Sequence, residues 1–170
     1  MNKNFYKRGQ GFTLIELLII IAVIAILATI VFVALNPLAR FQDSRNARRW
    51  SDVESIASAI KLYQVDNSGT NLSDVEDMTE SIAYQIGGGS NCALDCTFPA
   101  VTTDANCVDI GSLTKRGYIP AIPFDPNAAG ASTDNTHYYI IKNPGGSLTI
   151  GACNEEQGSA SVTPSISVSR

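Results

Sequence analysis

The chain has 170 residues, of which 45% are apolar. This length predicts one packed domain in addition to a separate N-terminal segment. Its net charge is −4, and the residues after Gly11 hold nine basic and 16 acidic side chains, a balance of −7. General nucleic-acid binding requires basic surfaces that neutralise phosphates, so the acidic balance argues against nucleic acid as a partner of the monomer.

The first predicted element is a membrane helix. Residues 12–35 form a run of 24 residues in which only Thr13, Glu16 and Thr29 are polar. A helix of this length extends about 36 Å, which exceeds the roughly 30 Å of a hydrocarbon core. A removable secretory signal has only about 7–15 apolar residues before its cleavage site, and a buried helix of a soluble protein is seldom this apolar. We therefore predict a retained membrane helix that follows a short basic leader.

The second element continues the helix in amphipathic form. Asn36-Pro37 predicts a kink, because proline lacks the amide donor and crowds the preceding turn. Apolar residues then recur mostly at steps of three or four, which predicts one long helix over residues 13–64, ended by the turn residues 66–69. The predicted core face comprises Leu38, Phe41, Trp50, Val53, Ile56, Ala57, Ile60 and Tyr63.

Four arginines cluster just past the membrane run: Arg40, Arg45, Arg48 and Arg49. The simplest interpretation is a solvated helix face with local ion pairs to Asp43 and Asp52. Salt bridges between subunits or contacts with lipid head groups are the alternatives.

The remainder of the chain predicts a small head with little helix. Residues 70–85 are interpreted as an acidic loop with a short helix, and residues 87–92 as a Gly-rich linker. Two β-rich runs, 137–142 and 147–153, flank Asn-Pro-Gly-Gly and predict a hairpin. The Ser-rich residues 156–170 lack a core-forming pattern and predict a flexible tail.

Four cysteines, an even number, lie in the second half of the chain. Their spacing matches no common zinc ribbon, so we predict disulfides formed in an oxidising compartment. Three pairings are possible, and the sequence does not choose among them. The candidates are Cys92, Cys96, Cys107 and Cys153.

Six residues around the start of the apolar run carry a family resemblance: Gly11, Phe12, Thr13, Leu14, Glu16 and Leu17. This stretch resembles the N-terminus of type IV pilins and the related pseudopilins, in which a basic leader ends in Gly before Phe-Thr-Leu-x-Glu and an apolar helix. A weaker similarity to the same family covers residues 117–140, with a Pro-x-Asp-Pro segment before a Tyr-rich strand. Together they cover about a third of the chain.

The resemblance implies residue roles and a fold. A prepilin peptidase cuts between Gly11 and Phe12, and the new amine of Phe12 is methylated. Glu16 is the acid that pairs with an N-terminal amine during assembly. The implied fold is α+β, a ladle in which the second half of the long helix packs on a small antiparallel sheet.

Elementary energetics supports a special role for Glu16. An acidic residue inside hydrocarbon costs about 2.5–3.5 kcal/mol near a helix centre and less toward the ends, so it calls for a partner. Cleavage after Gly11 creates a nearby cation that removes the penalty on both groups. Whether that cation belongs to the same subunit or to a neighbour is not decided by the sequence.

Other candidate sites are weak. Asp125 and Asp134 near the proline-rich loop are calcium candidates of the kind found in some pseudopilins, but calcium prefers several oxygen ligands at defined spacing. His137 is the only histidine and lacks a neighbouring nucleophile motif, so we interpret it as structural. We therefore predict no metal, no cofactor and no enzymatic activity.

The predicted organisation is a cleaved leader (1–11), a transmembrane and filament-core helix (12–35), an amphipathic helix (36–66), a globular head (67–155) and the tail (156–170). The predicted function is a pilus-like filament subunit for adhesion, motility or DNA uptake. Its partners would be further copies of itself, prepilin peptidase, the inner-membrane assembly machinery and, before assembly, lipid. The alternatives are a pseudopilin of type II secretion and a membrane-tethered binding domain that does not polymerise. The head would lie outside the cytoplasm, first at the inner membrane and then on a surface filament.

Overall fold

The computed structural model describes residues 11–89 and 103–170. The chain begins with α1 (Leu14–Leu35) and continues with α2 (Pro37–Asp66). Between them Asn36 adopts the left-handed conformation with φ 39°, which ends α1. Pro37 opens α2, where its missing amide donor is tolerated in the first turn. The predicted single helix is therefore two helices, and the interruption lies at the predicted place.

The chain divides into two compact units, residues 1–37 and residues 38–170. In the first unit, α1 has 22 residues, and none of them is buried within the chain. By length and composition it is apolar enough to cross a membrane, as predicted.

The second unit contains a five-stranded sheet. Its elements, in chain order, are α2, α3 (Ser73–Glu76), β1 (Ala83–Ile86), β2 (Thr103–Val108), α4 (Gly111–Lys115), β3 (Tyr138–Lys142), β4 (Leu148–Ala152) and β5 (Ser167–Ser169). The strand order is β2-β1-β3-β4-β5. All neighbouring strands are antiparallel except β1 and β2, which are parallel. The fold is α+β as predicted, but the sheet is mixed rather than antiparallel.

The predicted hairpin is present as β3 and β4, with Tyr138 opposite Ala152 and Lys142 opposite Leu148. The strand β1 was missed, because residues 70–85 were interpreted as loop and short helix. All four residues of β1 are buried, so its sequence Ala-Tyr-Gln-Ile lacks the alternation that identifies a half-exposed strand.

Alternating strand residues divide between the two faces of the sheet. Tyr138, Ile140 and Ile150 belong to the main core, whereas Tyr139 and Ile141 belong to a small cluster with Ala83 and Cys153. The main core also takes in one face of α2, so the second half of this helix packs on the sheet as expected. The α2 residues in this core are Val53, Ile56, Ala57, Ala59 and Ile60.

The predicted core face of α2 is correct from Val53 onward and wrong before it. Leu38 and Phe41 are each 64% exposed, and Trp50 is 43% exposed. The buried positions in the first half are instead Asn46 and Arg49, together with Ala39. Periodicity identified the hydrophobic stripe, but this half of the helix contacts polar chain, so its larger buried side chains, Asn46 and Arg49, are polar.

The prediction of a tail without a core-forming pattern is also wrong. Ile166 is completely buried in the main core, and β5 pairs with β4 along Ser167–Ser169. The run is Ser-rich because most of its side chains remain exposed, while Ile166, the backbone pairing of β5 and the charged side chains of Glu156 and Arg170 attach it to the rest of the unit.

Candidate functional site

The start of α1 is open to solvent at the predicted cleavage position. Gly11 and Phe12 precede the helix, and Phe12 is 76% exposed. No heavy atom lies within 4 Å of where a Cβ on Gly11 would stand. The described residues therefore leave Phe12, the first residue after the predicted cleavage point, exposed.

Glu16 completes a capping box at the first turn of α1. The backbone N–H of Thr13 donates to Glu16 Oε2 at 2.8 Å, and the Thr13 hydroxyl donates to the same oxygen at 2.9 Å. In return the N–H of Glu16 donates to Thr13 Oγ1 at 3.2 Å. The carboxylate thus stabilises the otherwise unpaired donors and positive dipole of the helix N-terminus.

Thr13 was matched to the family motif, but no role was predicted for it. In the structure its side chain caps the N-terminus of α1. Its signal was present as Thr-x-x-Glu directly before an apolar run, which is the sequence form of a capping box. Farther along α1, the Thr29 hydroxyl donates to the carbonyl of Ala25 at 2.9 Å. Each of the three polar side chains of the apolar run therefore finds a partner within its own helix.

The head contains a buried ion-pair network centred on Arg49, whose side chain is 0% exposed. Arg49 Nε and Nη2 donate to the two carboxylate oxygens of Asp125 at 2.7 and 3.0 Å. Its Nη1 donates to Glu156 Oε2 at 2.9 Å and to Asn46 Oδ1 at 2.9 Å. Burial lowers the pKa of Arg49, but hydrogen bonds to Asp125 and Glu156 outweigh it, so its pKa is raised and the cation persists.

The predicted solvated arginine face is correct for two of the four arginines. Arg40 lies 4.0 Å from Asp43 and Arg48 lies 3.7 Å from Asp52. Arg49 contradicts that prediction, and Arg45 pairs with Glu156 across 111 positions of sequence rather than with a neighbour on its helix. Local charge pairing could not find these partners, because Asp125 and Glu156 are distant in sequence.

The calcium candidates are not brought together as a ligand set. Both oxygens of Asp125 accept hydrogen bonds from Arg49, and Oδ1 also accepts from the backbone N–H groups of Asn127 and Ala128. Asp134 is exposed. Within residues 11–89 and 103–170, no group of three potential metal-binding side chains occurs.

Two of the four cysteines can be placed. Cys107 and Cys153 lie in the described part of the chain, where no cysteine is a free thiol. Cys92 and Cys96 lie outside the described residues, as do residues 90–92 of the predicted linker, so the disulfide pairing stays a prediction. His137 precedes β3 with φ 56°, and its Nε2 is buried without a hydrogen-bond partner in the described structure.

Comparison with known proteins agrees with the motif at the start of α1. Residues 6–32 match the model of the prokaryotic N-terminal methylation motif. The chain is similar to the type II secretion system core protein G of Escherichia coli (strain K12), with 25% identity over 140 residues, covering 81% of this chain and 74% of that protein. No solved structure matches. The predicted resemblance to pilins and pseudopilins is thereby confirmed.

Proposed function

We propose that the protein is a structural subunit of a pilin-like filament, processed at Gly11–Phe12 and assembled through α1. The observation that carries the proposal is that α1 exposes every one of its residues and bears Glu16 at its start. A helix that is apolar all round must be covered by something outside its own chain. The methylation motif over residues 6–32 supports the same conclusion.

Processing changes the charge at the helix start. Hydrolysis of the Gly11–Phe12 bond removes the basic leader and leaves an ammonium group on Phe12, four residues before Glu16. Methylation of that amine keeps its positive charge. The carboxylate of Glu16, now held by Thr13, then has a cation within reach, either its own or that of a neighbouring subunit.

Assembly exchanges one apolar environment for another. Before assembly, lipid covers α1, with the head on the far side of the inner membrane from the leader. In the filament, neighbouring copies of α1 cover one another. Because lipid and leucine side chains are equally apolar, packing and polar pairing drive association more than burial does. Glu16 provides the polar pairing, so its partner decides whether subunits associate in register.

The partners of the proposed subunit follow from these steps. They are prepilin peptidase, inner-membrane assembly machinery and further copies of the chain, and the role is structural rather than enzymatic. Two systems use such a subunit. A type IV pilus would serve adhesion, motility or DNA uptake. A pseudopilus of type II secretion is the second candidate, favoured by the similarity to core protein G over 81% of the chain.

The first experiment tests processing. Filaments are sheared from cells and the N-terminus of their main subunit is determined by mass spectrometry. We expect the chain to begin with N-methylated Phe12. Retention of Met1, or absence of the protein from sheared filaments and from the secretion complex, would favour the membrane-tethered domain that does not polymerise.

The second experiment tests Glu16. Glu16→Ala is expected to leave membrane insertion and cleavage intact but to reduce filament yield at least about tenfold, the effect of losing about 1.4 kcal/mol per contact. Thr29→Ala is the matched control, because it removes another polar group from the same helix, and it should assemble normally. Normal yield from Glu16→Ala would remove the assembly role proposed for this residue.

A further inference from the structure

The C-terminal segment contacts the first half of α2 through polar groups. We call residues 154–160 the C-terminal latch. Within it, Glu156 makes two backbone hydrogen bonds to one side chain: its N–H donates to Asn46 Oδ1 at 3.1 Å, and its carbonyl accepts from Asn46 Nδ2 at 2.5 Å. The amide of Asn46 therefore holds the latch as a neighbouring strand would.

The carboxylate of Glu156 adds two charged contacts. Arg45 donates to it from Nε at 2.6 Å and from Nη2 at 2.5 Å, and Arg49 donates from Nη1 at 2.9 Å. These contacts lie on one side of α2, because positions 45, 46 and 49 are three and four residues apart.

The next latch residues continue along α2 toward its N-terminus. The N–H of Gly158 donates to Gln42 Oε1 at 3.1 Å, and the N–H of Ser159 donates to Asp43 Oδ1 at 2.9 Å. Gly158 has φ 62°, and a Cβ at this position would collide with the Asp43 carboxylate. A side chain at position 158 would therefore have to displace the Asp43 carboxylate that Ser159 contacts, in a backbone conformation that favours glycine.

The first half of α2 has few other attachments to the head. Among the described residues of α2 before Arg49, only Ala39 and Asn46 are buried, and Asn36 interrupts the helix at its start. The latch is equally short of apolar anchors, since no side chain between Cys153 and Ile166 is a buried hydrophobic residue. Hydrogen bonds and ion pairs join these two segments.

We propose that the C-terminal latch opens as a local unit and thereby releases the first half of α2 from the head, while the sheet and its core stay folded. Segments held by few buried apolar contacts open at lower free energy than the global unfolding of a domain. The core holds the chain on both sides of the latch, at Cys153 and at Ile166. Opening therefore changes only the surface that α2 presents. The inference goes beyond the proposed function and depends only on contacts within the head.

Hydrogen exchange of the full-length protein in detergent tests the latch. Gly158→Ala should accelerate exchange at residues 39–47 and 154–160 about tenfold or more, while residues 138–152 keep their rates, because the new Cβ would displace the Asp43 carboxylate from the latch at a strained backbone position. Gly130→Ala is the matched control: Gly130 also has positive φ, at 75°, but nothing lies within 4 Å of its Cβ position.

A second pair of variants tests the charge. Glu156→Gln keeps the shape but weakens both arginine contacts, so the same two segments should exchange faster. Glu54 lies on the second half of α2 and forms an exposed ion pair with Arg170. Glu54→Gln weakens that pair and should leave the exchange rates of both segments unchanged. Unchanged rates in Gly158→Ala and Glu156→Gln would overturn the latch. So would equal acceleration throughout the β3–β4 hairpin, because the segment would then be part of the cooperative core.

Discussion

α1 and the head differ in where they place their apolar and charged groups. α1 exposes an apolar surface on all sides and buries none of it within the chain. The head instead buries a full positive charge, Arg49, and supplies its counter-charges from Asp125 and Glu156. The buried charges of the head thus find their partners within the chain, whereas the apolar surface of α1 has to be covered by lipid or by other chains.

Glu16 and Arg49 differ in how far away in the sequence their partners lie. Glu16 bonds to Thr13, three residues away, in a cap that leaves the rest of the helix uncovered. Arg49 finds its partners 76 and 107 residues away in sequence. A local contact stabilises an element, and a distant contact joins elements. Mutations in the head should therefore affect folding, and mutations in α1 should affect association.

The largest effect on folding is expected from Arg49→Met. Removing the guanidinium leaves the buried Asp125 carboxylate without its counter-charge and Glu156 with Arg45 alone, and breaking a buried ion pair typically costs about 3–5 kcal/mol. Denaturant unfolding of the full chain in detergent can be followed by the fluorescence of Trp50, the only tryptophan. The control is Arg40→Met, whose side chain is 73% exposed and which should cost less than about 1 kcal/mol. Equal effects of the two variants would mean that the head does not depend on its internal counter-charges.

A somewhat smaller effect is expected from Ile166→Ala, which tests whether the C-terminal residues belong to the self-contained head. Ile166 is completely buried in the main core, and truncating a buried isoleucine costs about 2–5 kcal/mol. Val162→Ala lies in the same segment at 74% exposure and should be close to neutral in the same denaturation assay. A neutral Ile166→Ala would return residues 156–170 to the status of an independent tail.

The smallest effect is expected from pH, through the half-buried carboxyls of the head. Burial raises the pKa of Glu155 above its usual 4.5. The native state therefore takes up a proton before the unfolded chain does, and stability should increase as pH falls from 7 toward 4.5. Hydrogen bonds from Arg45 hold the pKa of Glu156 below the same value, so its contribution is present above pH 4.5 and lost below it.

Glu155→Gln separates these opposing contributions. The variant should abolish much of the stability increase between pH 7 and 4.5, while the loss at lower pH remains. Unfolding midpoints measured at several pH values give the comparison. A wild-type protein whose stability falls steadily from pH 7 would show that the buried Glu155 carboxyl is not the group that controls this range.

Local patterns accounted for much of the fold. The uninterrupted apolar run predicted α1, Asn36-Pro37 predicted the interruption, and two β-rich runs around Asn-Pro-Gly-Gly predicted β3 and β4. Each of these signals is contained in a few consecutive residues. The candidate site at the start of α1 was predicted for the same reason, since the Gly-Phe junction and Glu16 lie within residues 11–16.

Features that depend on distant residues were missed. The four buried residues of β1 have no alternation to reveal them, and its parallel pairing with β2 was unforeseen. Asp125 was considered a calcium candidate because its acidity was visible and its partner was not. Arg49 was assigned, with the three neighbouring arginines, to a solvated helix face, because arginine side chains are mostly exposed.

The sequence by itself determined where the helices begin and break, which of them is apolar on all sides and where its one acid lies, because hydrophobic periodicity and capping are local. The tertiary structure decided which charges are buried, how the strands are ordered and which residues join the C-terminal segment to α2. Those outcomes depend on which distant groups desolvate together, and a buried charge is stable only when folding places its partner within hydrogen-bonding distance.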